Sequence, residues 1–305
     1  MNIKNLSLNH LPRKARTFYA KAGGSCWLFW FTFFIFTSCA SISPILSEER
    51  SVSNFPSLEN VKPYWQSYAA GVDYFHGRTE SPRLEFWALK IDLSAPNIEI
   101  VCSGNTVSAT VSNFVRNNKL IAGINAVPFD TLGKNLGIVI SGGNILSPAH
   151  PSYDALVFFN TDLTKNRTRA AILKQTSIKS AENIFNAIGG FYQILADGEA
   201  AQRTLGSEAR HPRSAAGVSK DGETLYLLVI DGRRSGSAGG TERETAMILL
   251  SLGCWDGINF DGGGSSSLAM LFSDGSIKPV NTPIHNGIPG RERAVAGCLG
   301  IYINN

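Results

Sequence analysis

Asn259-Phe260-Asp261-Gly262-Gly263-Gly264-Ser265-Ser266-Ser267-Leu268 carries an apolar, strand-like run into one carboxylate and then into a turn of glycines and hydroxyls. Glycines take positive φ without a Cβ clash and let backbone N–H groups come close to a ligand; the serines add hydroxyls and Asp261 a fixed negative charge. A hairpin turn needs only one or two glycines, so this stretch reads as a functional loop at a strand end. The pattern recurs upstream. The run Leu225-Tyr226-Leu227-Leu228-Val229-Ile230 ends in Asp231-Gly232-Arg233-Arg234-Ser235-Gly236, a second strand delivering a carboxylate, here with basic residues just beyond it. Between the two, Thr241-Glu242-Arg243-Glu244 opens a helix that continues through 245–252 and is closed by Gly253. The resulting order of strand, loop, helix and strand turns the two carboxylate-bearing strand ends toward each other.

Short apolar runs separated by turns predict strands at 84–93, 98–102, 120–127, 137–145 and 155–159, and again at 187–195, 215–219, 225–230, 258–260, 268–272 and 294–303. One early helix is expected over 107–117, with Ser108 as its cap. The predicted class is α+β, a mixed, largely antiparallel sheet with few helices and the site between two lobes.

The first 38 residues stand apart from that fold. Arg13, Lys14, Arg16 and Lys21 precede the apolar run 27–37, and no acidic residue occurs before Ser41, the layout of a secretion leader. The run is about a dozen residues long, short of the ~20 of a membrane span. Phe36-Thr37-Ser38-Cys39-Ala40 resembles a bacterial lipobox, so cleavage before Cys39 and lipidation of its thiol are expected, with simple cleavage or an uncleaved anchor as alternatives. That places the chain in the cell envelope. Residues 41–63 are rich in serine and acids without sustained periodicity, and with Cys39 they read as a flexible linker, 39–63, ahead of a domain at 64–305. Five of the 28 basic residues lie in the leader, so the mature chain sets 23 against 24 acidic ones and is close to neutral. That balance gives no footing for binding nucleic acid. Cys102, Cys254 and Cys298 form no CxxC pair and do not suggest zinc; Cys254 and Cys298 either pair or remain buried thiols.

Taken together, Arg213, the Lys220-Asp221-Gly222 turn, Asp231-Gly232-Arg233, Gly240-Thr241, Glu244, Leu252-Gly253 and the 259–268 run resemble the signature of the phosphodiester glycosidase family. Asn125 before Val127-Pro128-Phe129 is similar to the family's asparagine-glycine-glycine-phenylalanine segment. Gly189-Gly190 through Asp197-Gly198 is similar to its glycine-rich middle strand, and Arg291-Glu292-Arg293 with Val295-Ala296 to its closing segment. The resemblance covers roughly residues 84–302. Two positions depart from it: Ala126-Val127 stand in place of two glycines, and Ser267 in place of the usual threonine.

The resemblance implies an exported hydrolase that cleaves a glycosyl-1-phosphodiester in an envelope polysaccharide or scavenged glycan. Such cleavage builds positive charge on the sugar ring while phosphate departs, so carboxylates are needed near the sugar and cations near the phosphate. A departing phosphate monoester, with a second pKa of about 6, needs less protonation than an alcohol, and arginine forks match its oxygens. Asp261 leads as nucleophile or base, with Asp231 second. Glu244 stands where the family places its glutamate and is the third catalytic candidate, although Thr241 and Glu244 also complete a capping box. Arg213, Arg233 and Arg293 are the phosphate candidates, with Arg291 an equal rival to Arg293. Asn125, Ser265 and Ser266 enter through the family match as partners of sugar or phosphate, with Gly262 and Gly263 as the loop's close-approach backbone. His211 is weighed as a proton donor against an ordinary solvated loop histidine.

No cofactor is expected and no metal, calcium on Asp231, Asp261 and carbonyls being the open alternative. The glycine loop lacks the Lys-Ser/Thr end of a P-loop, and no G-x-S-x-G surrounds Ser235 or Ser265; both comparisons exclude those chemistries. Two further functions fit the same residues: a non-catalytic envelope protein holding an anionic polysaccharide, and a phosphodiesterase cutting the P–O bond.

Overall fold

Every residue of Leu225-Tyr226-Leu227-Leu228-Val229-Ile230 is apolar, which suits a strand covered on both faces. The computed structural model describes residues 51–104, 107–162, 167–206 and 208–304, and strand Thr224–Ile230 lies in the middle of its largest sheet. Leu225, Leu227 and Val229 point into one core, Tyr226, Leu228 and Ile230 into another. Nine strands make this sheet. Its order is Ser53–Ser57, Val72–Ser81, Arg83–Asp92, Thr224–Ile230, Arg213–Val218, Asp256–Asn259, Tyr192–Ala196 and Glu199–Ala200, with Gln66–Ala69 also paired to Val72–Ser81. The pairing is antiparallel except for the edge strand Ser53–Ser57, which runs parallel to its neighbour.

On one face lies helix α2 (Glu242–Leu252). Its Ala246, Leu249 and Leu252 enter the core shared with Phe86, Ala88, Ala215 and Leu228. Gly257 makes the close approach feasible, since a Cβ there would sit 2.6 Å from Leu249 Cδ1. The capping box read in the sequence is formed: Glu244 N–H donates to Thr241 Oγ1 (3.1 Å) and Thr241 N–H to Glu244 Oε2 (2.9 Å). Gly253 closes the helix at φ 108°, a conformation any side chain would strain.

Against the other face pack two five-stranded sheets. One holds Arg167–Lys174, Asp154–Asp162, Ile184–Gly189, Val139–Ser141 and Asn144–Ser147; the other Ile277–Pro279, Leu268–Leu271, Ala122–Asn125, Cys298–Ile303 and Ile98–Ser103. Helix α1 (Val111–Asn117) covers the second of these through Val111, Phe114 and Val115. Mostly β structure with two α-helices among the described residues is the α+β class expected from the sequence.

Three details differ from expectation, and one left open is decided. Thr110, not Ser108, caps α1, because Ser108 N–H and Ala109 O are taken by Val295 and hold 107–109 extended. The expected strand 187–195 is two strands in different sheets, and the chain crosses between them at Gly190, where a Cβ would meet Asn259 O at 2.9 Å. The described part of the expected linker, 51–63, belongs to the fold: Phe55 packs against Phe75, with ring centroids 6.2 Å apart, and Leu58 and Val61 are buried in the core beneath α2. Its alternation of half-buried and exposed residues over Ser53–Ser57 was hidden by small polar side chains. Cys254 and Cys298 do not pair; both are buried free thiols, one in the core under α2 and the other in the cluster beside α1. The leader and Cys39 lie outside the described residues.

Removing the cap isolates the helix contribution. Thr241→Ala should lower unfolding stability by about 1 kcal/mol in denaturant titration with an unchanged slope.

Candidate active site

Strand register decides which side chains meet. Arg213 is paired with Ile230, and Ala215 with Asn259, both antiparallel. Strands Thr224–Ile230 and Asp256–Asn259 therefore run parallel to one another with Arg213–Val218 between them. Asp231 and Asp261 emerge at the same sheet edge, on either side of Arg213, so the convergence read from the sequence is present.

Asp261 is fixed by its backbone. Its N–H donates to Ala126 O (2.8 Å), and its carbonyl accepts from Asn125 Nδ2 (2.6 Å). The carboxylate is half-buried beside Ser265, Arg293 and the Gly262 N–H. Burial raises its pKa; the Ser265 hydroxyl, the Arg293 charge and the Gly262 N–H offset only part of that rise. Asp261 is thus a more basic carboxylate than an exposed aspartate.

Cations and imidazoles surround it. Arg293 donates from Nη1 to Ser265 Oγ (3.3 Å) while its guanidinium lies 4.5 Å from the Phe129 ring centre. Arg291 is exposed and hydrogen-bonds through its backbone to His285, so Arg293 is the member of the pair that faces Asp261. Arg233 is exposed, takes φ 59°, and places Nη2 3.4 Å from His211 Nδ1. Gly263, at φ 64°, sits beneath that guanidinium: a Cβ there would be 3.1 Å from Arg233 Nη2. Burial lowers the His211 pKa, and Arg213 and Arg233 lower it further, which favours the neutral imidazole. His285, which sequence reasoning missed, packs against Gly264 on the loop's other side; burial, then Arg293 and Arg291, lower its pKa too.

Several residues read as candidates are occupied elsewhere. Asn125 is fully buried: besides Asp261 O it bonds Ser214 Oγ (2.7 Å) and the Ser267 N–H (3.1 Å), both donating to its Oδ1. Asp231 is 1% exposed and accepts from Arg234 Nε (2.7 Å), Asn281 Nδ2 (3.1 Å) and the Thr282 N–H (3.0 Å). Asn281 in turn accepts from the Leu268 N–H and donates to Ser266 O, so Asp231 braces the far end of the glycine-serine loop. Glu244 has both oxygens engaged, by the cap and by a forked pair with Arg210 at 2.7 and 2.5 Å. Arg213 is buried and gives Nε to Gly240 O (2.9 Å) and Nη2 to Ala209 O (3.1 Å).

The loop's own N–H groups are also largely consumed. Gly263, Ser265 and Ser266 donate to Pro212, Gly262 and Gly263 carbonyls, closing a 3₁₀ turn in place of an open anion cradle. Ser266 Oγ is buried with no partner among the described residues. Glu292, given no role in the sequence reading, accepts from Ser267 Oγ (2.9 Å) and the Ser112 N–H (3.1 Å), tying the closing segment to the loop and to α1. No group of three or more His, Cys, Asp or Glu among the described residues is disposed to hold a metal.

The sequence model of one family, described as phosphodiester glycosidase, matches residues 118–302 and includes every one of these side chains. The chain belongs to the phosphodiester glycosidase family. The chain is similar to an uncharacterized SPbeta prophage-derived protein, YomE, of Bacillus subtilis, 30% identical over 205 residues. That match covers 65% of this chain and spans 30% of the relative's length. Among solved structures the chain is similar to the catalytic domain of zebrafish N-acetylglucosamine-1-phosphodiester alpha-N-acetylglucosaminidase, auto-inhibited by its pro-peptide. The TM-score is 0.60 at 19% identity, over 84% of this chain and 87% of that one. A hypothetical protein from Synechocystis gives 0.57 at 14% identity, over 81% and 64%. A putative exported protein of Burkholderia pseudomallei gives 0.53 at 16%, over 72% and 74%. At these identities the structures establish a shared fold.

In this member of the family the brace behind Asp231 continues into the β-sheet. Arg234 pairs with both Asp231 and Glu85, and Glu85 also accepts from His76 Nε2 (2.9 Å) and Arg78 Nε (2.8 Å). Burial alone would raise the Glu85 pKa, but the hydrogen bonds from His76, Arg78 and Arg234 overcome it and hold the carboxyl at about 2, against an ordinary 4.5. A depressed carboxylate pKa contributes stability that is complete above about 4.5 and lost as pH falls toward about 2. Glu85→Gln should cost roughly 3 kcal/mol at pH 7 and flatten the loss of stability across that acid window, measured by denaturant titration at stepped pH.

Proposed function

We propose that the chain is an exported hydrolase that cleaves a glycosyl-1-phosphodiester, in an envelope polysaccharide or a scavenged glycan, by breaking the bond between sugar C1 and the phosphate oxygen. The observation that carries this reading is the pairing of one uncommitted, half-buried carboxylate, Asp261, with the arginines Arg293 and Arg233 around a single loop. Asp231 and Glu244, the other two candidate carboxylates, are held in ion pairs. Asp261 therefore supplies the negative charge at the sugar, as nucleophile or as the base for water. Arg293 and Arg233 meet the phosphate oxygens with charge-assisted hydrogen bonds as the C1–O electron pair passes to phosphate. A phosphate monoester is a weak base, so departure proceeds without the second carboxylic acid that alcohol-leaving glycosidases require. Burial and the neighbouring arginines disfavour protonation of His211, whose Nδ1 accepts from Arg233 and whose Nε2 then carries the ring's single N–H. Asn125, Asp231, Glu244 and Arg213 are positioning residues in this scheme: Asn125 holds Asp261 and Ser267, Asp231 holds Thr282 and Asn281, the latter bracing Leu268, and Glu244 and Arg213 hold Thr241 and Gly240 at the end of the Arg233 loop. The membrane enters through the leader and Cys39, and export to the envelope gives access to polymeric glycans.

Incubation of the protein with an N-acetylglucosamine-1-phospho-sugar diester in oxygen-18 water, followed by mass spectrometry, tests the reaction. Label in the released sugar is expected, and Asp261→Asn should reduce release by at least ~10³-fold while the variant still folds. Label in phosphate would instead establish P–O cleavage and remove the glycosidase reading for this chain.

The pH profile tests the electrostatics. Activity that needs ionised Asp261 falls as pH drops through its raised pKa, so the acid limb of kcat/KM lies above the usual carboxylate range. Arg293 pulls that pKa down, so Arg293→Gln should move the limb to higher pH. A limb that stays in place would show that Arg293 does not act on Asp261.

A further inference from the structure

Beside the glycine-serine loop runs a strip of aromatic rings that the core does not use. His150 stacks on Tyr153 with centroids 3.8 Å apart and planes at 16°. Tyr153 meets Phe191 and Tyr192 edge to face, each at 5.3 Å. Arg203 covers Tyr192 at 3.4 Å and is drawn toward Glu242 at 4.0 Å. All four rings are partly exposed, whereas Phe86 and Phe158 are fully buried. Burial alone does not account for large aromatic side chains left open to solvent in one contiguous strip.

Strand register ties the strip to Asp261. Tyr192 is the direct cross-strand partner of Asn259, and Phe191 N–H donates to Asn259 O (2.8 Å). Directly opposed residues share a face of the sheet, so the Tyr192 ring and the Asn259 carboxamide lie side by side, with Asp261 two residues farther along the same line. Strand order puts Tyr192 on one flank of strand Asp256–Asn259 and the strand leading to Arg233 toward the other. The aromatic surface and the Arg233 loop thus fall on opposite sides of that strand. Asn259 is 3% exposed, and its Oδ1 has no hydrogen-bond donor among the described residues. A buried acceptor left unfilled is costly, and a ligand hydroxyl would relieve it.

We propose that His150, Tyr153, Phe191 and Tyr192 form a sugar subsite that holds an uncharged pyranose ring by stacking, with Asn259 Oδ1 accepting from a ring hydroxyl. The proposal rests on the glycosyl-phosphodiester reading and assigns the sugar side of that substrate to this strip. A pyranose presents C–H groups on its faces and hydroxyls around its rim, which matches aromatic faces with one acceptor at the edge. A phosphate has no apolar face and is matched by Arg233 and Arg293 instead. Arg203 is already engaged by Tyr192 and Glu242, so the strip adds no free cation to the sugar side.

The test is binding of neutral methyl glycosides of glucose, galactose, mannose and N-acetylglucosamine to the purified protein. Saturation-transfer NMR gives the contact and titration the affinity. At least one glycoside is expected to bind, at least ~10-fold more weakly to Tyr192→Ala and Tyr153→Ala, with Tyr192→Phe restoring affinity and Arg233→Ala leaving it unchanged. In turnover of the phosphodiester, Tyr192→Ala should raise KM more than it lowers kcat. No binding by any of the four, or binding indifferent to both tyrosine changes, overturns the subsite. Near-ultraviolet circular dichroism of Tyr192→Phe and Tyr192→Ala separates lost stacking from lost fold. Sugar binding through the tyrosines without phosphodiester hydrolysis would leave the subsite standing and remove the hydrolase reading. Hydrolysis with a KM untouched by Tyr192→Ala would do the reverse.

Discussion

The Asn125 carboxamide is the fastening on which the site depends. It sits at the end of strand Ala122–Asn125 in one sheet and reaches the side chain of Ser214 in another and the backbone of Asp261 just beyond that second sheet's strand Asp256–Asn259. Its remaining acceptor capacity takes the Ser267 N–H, at the far side of the glycine-serine turn. One fully buried side chain thus joins two sheets and both ends of the loop. Buried amides with every bond made are strongly directional, because a shift of either sheet would leave a donor or acceptor unpaired in a dry environment. The Asp261 N–H bond to Ala126 O, one residue on, repeats the same connection through the backbone.

Around that fastening the acidic residues divide their work by what surrounds them. Asp231 and Glu85 share Arg234 in a largely buried ion-pair chain, and Glu85 also accepts from His76 and the exposed Arg78 of the large sheet. Such a chain costs desolvation and is sustained by complete pairing, so it braces better than it reacts. Glu244 spends one oxygen on the helix cap and both on Arg210. Burial raises the pKa of both aspartates, but Asp261 has no such full complement: it faces one hydroxyl, one N–H and the charge of Arg293. The same residue type is a strut in one setting and a base in the other because of the cations and donors packed against it.

The layers explain where the loops meet. Helix α2 and the paired five-stranded sheets cover opposite faces of the large sheet and leave the strand ends as the uncovered edge. The chain passes at Gly190 from a smaller sheet to the large one, and this crossing carries Phe191 and Tyr192 next to Asn259. Phe129 and Arg293 arrive from segments flanking the other small sheet. Three sheets therefore contribute to one edge, each through residues just beyond a strand.

Much of this was legible in the chain itself. Continuous apolar runs gave strand Thr224–Ile230 and its neighbours, and the Thr241, Glu244 and Gly253 signals gave α2 with its caps, because both are written in local periodicity and backbone preference. The order strand, loop, helix, strand was enough to predict that Asp231 and Asp261 would emerge together. Sequence could not tell that Asp231 would be buried against Arg234, or that Asn125 would turn inward. Those outcomes depend on Glu85, Asn281 and Ser214, which are remote along the chain and carry no pattern of their own. The strand Ser53–Ser57 was hidden for a related reason, since its burial comes from the neighbouring strand and not from its own polarity. Local interactions set the elements, and sequence alone determined them. Charge pairing and desolvation are set by what lies across the fold, so only the tertiary structure decided which carboxylate remained free.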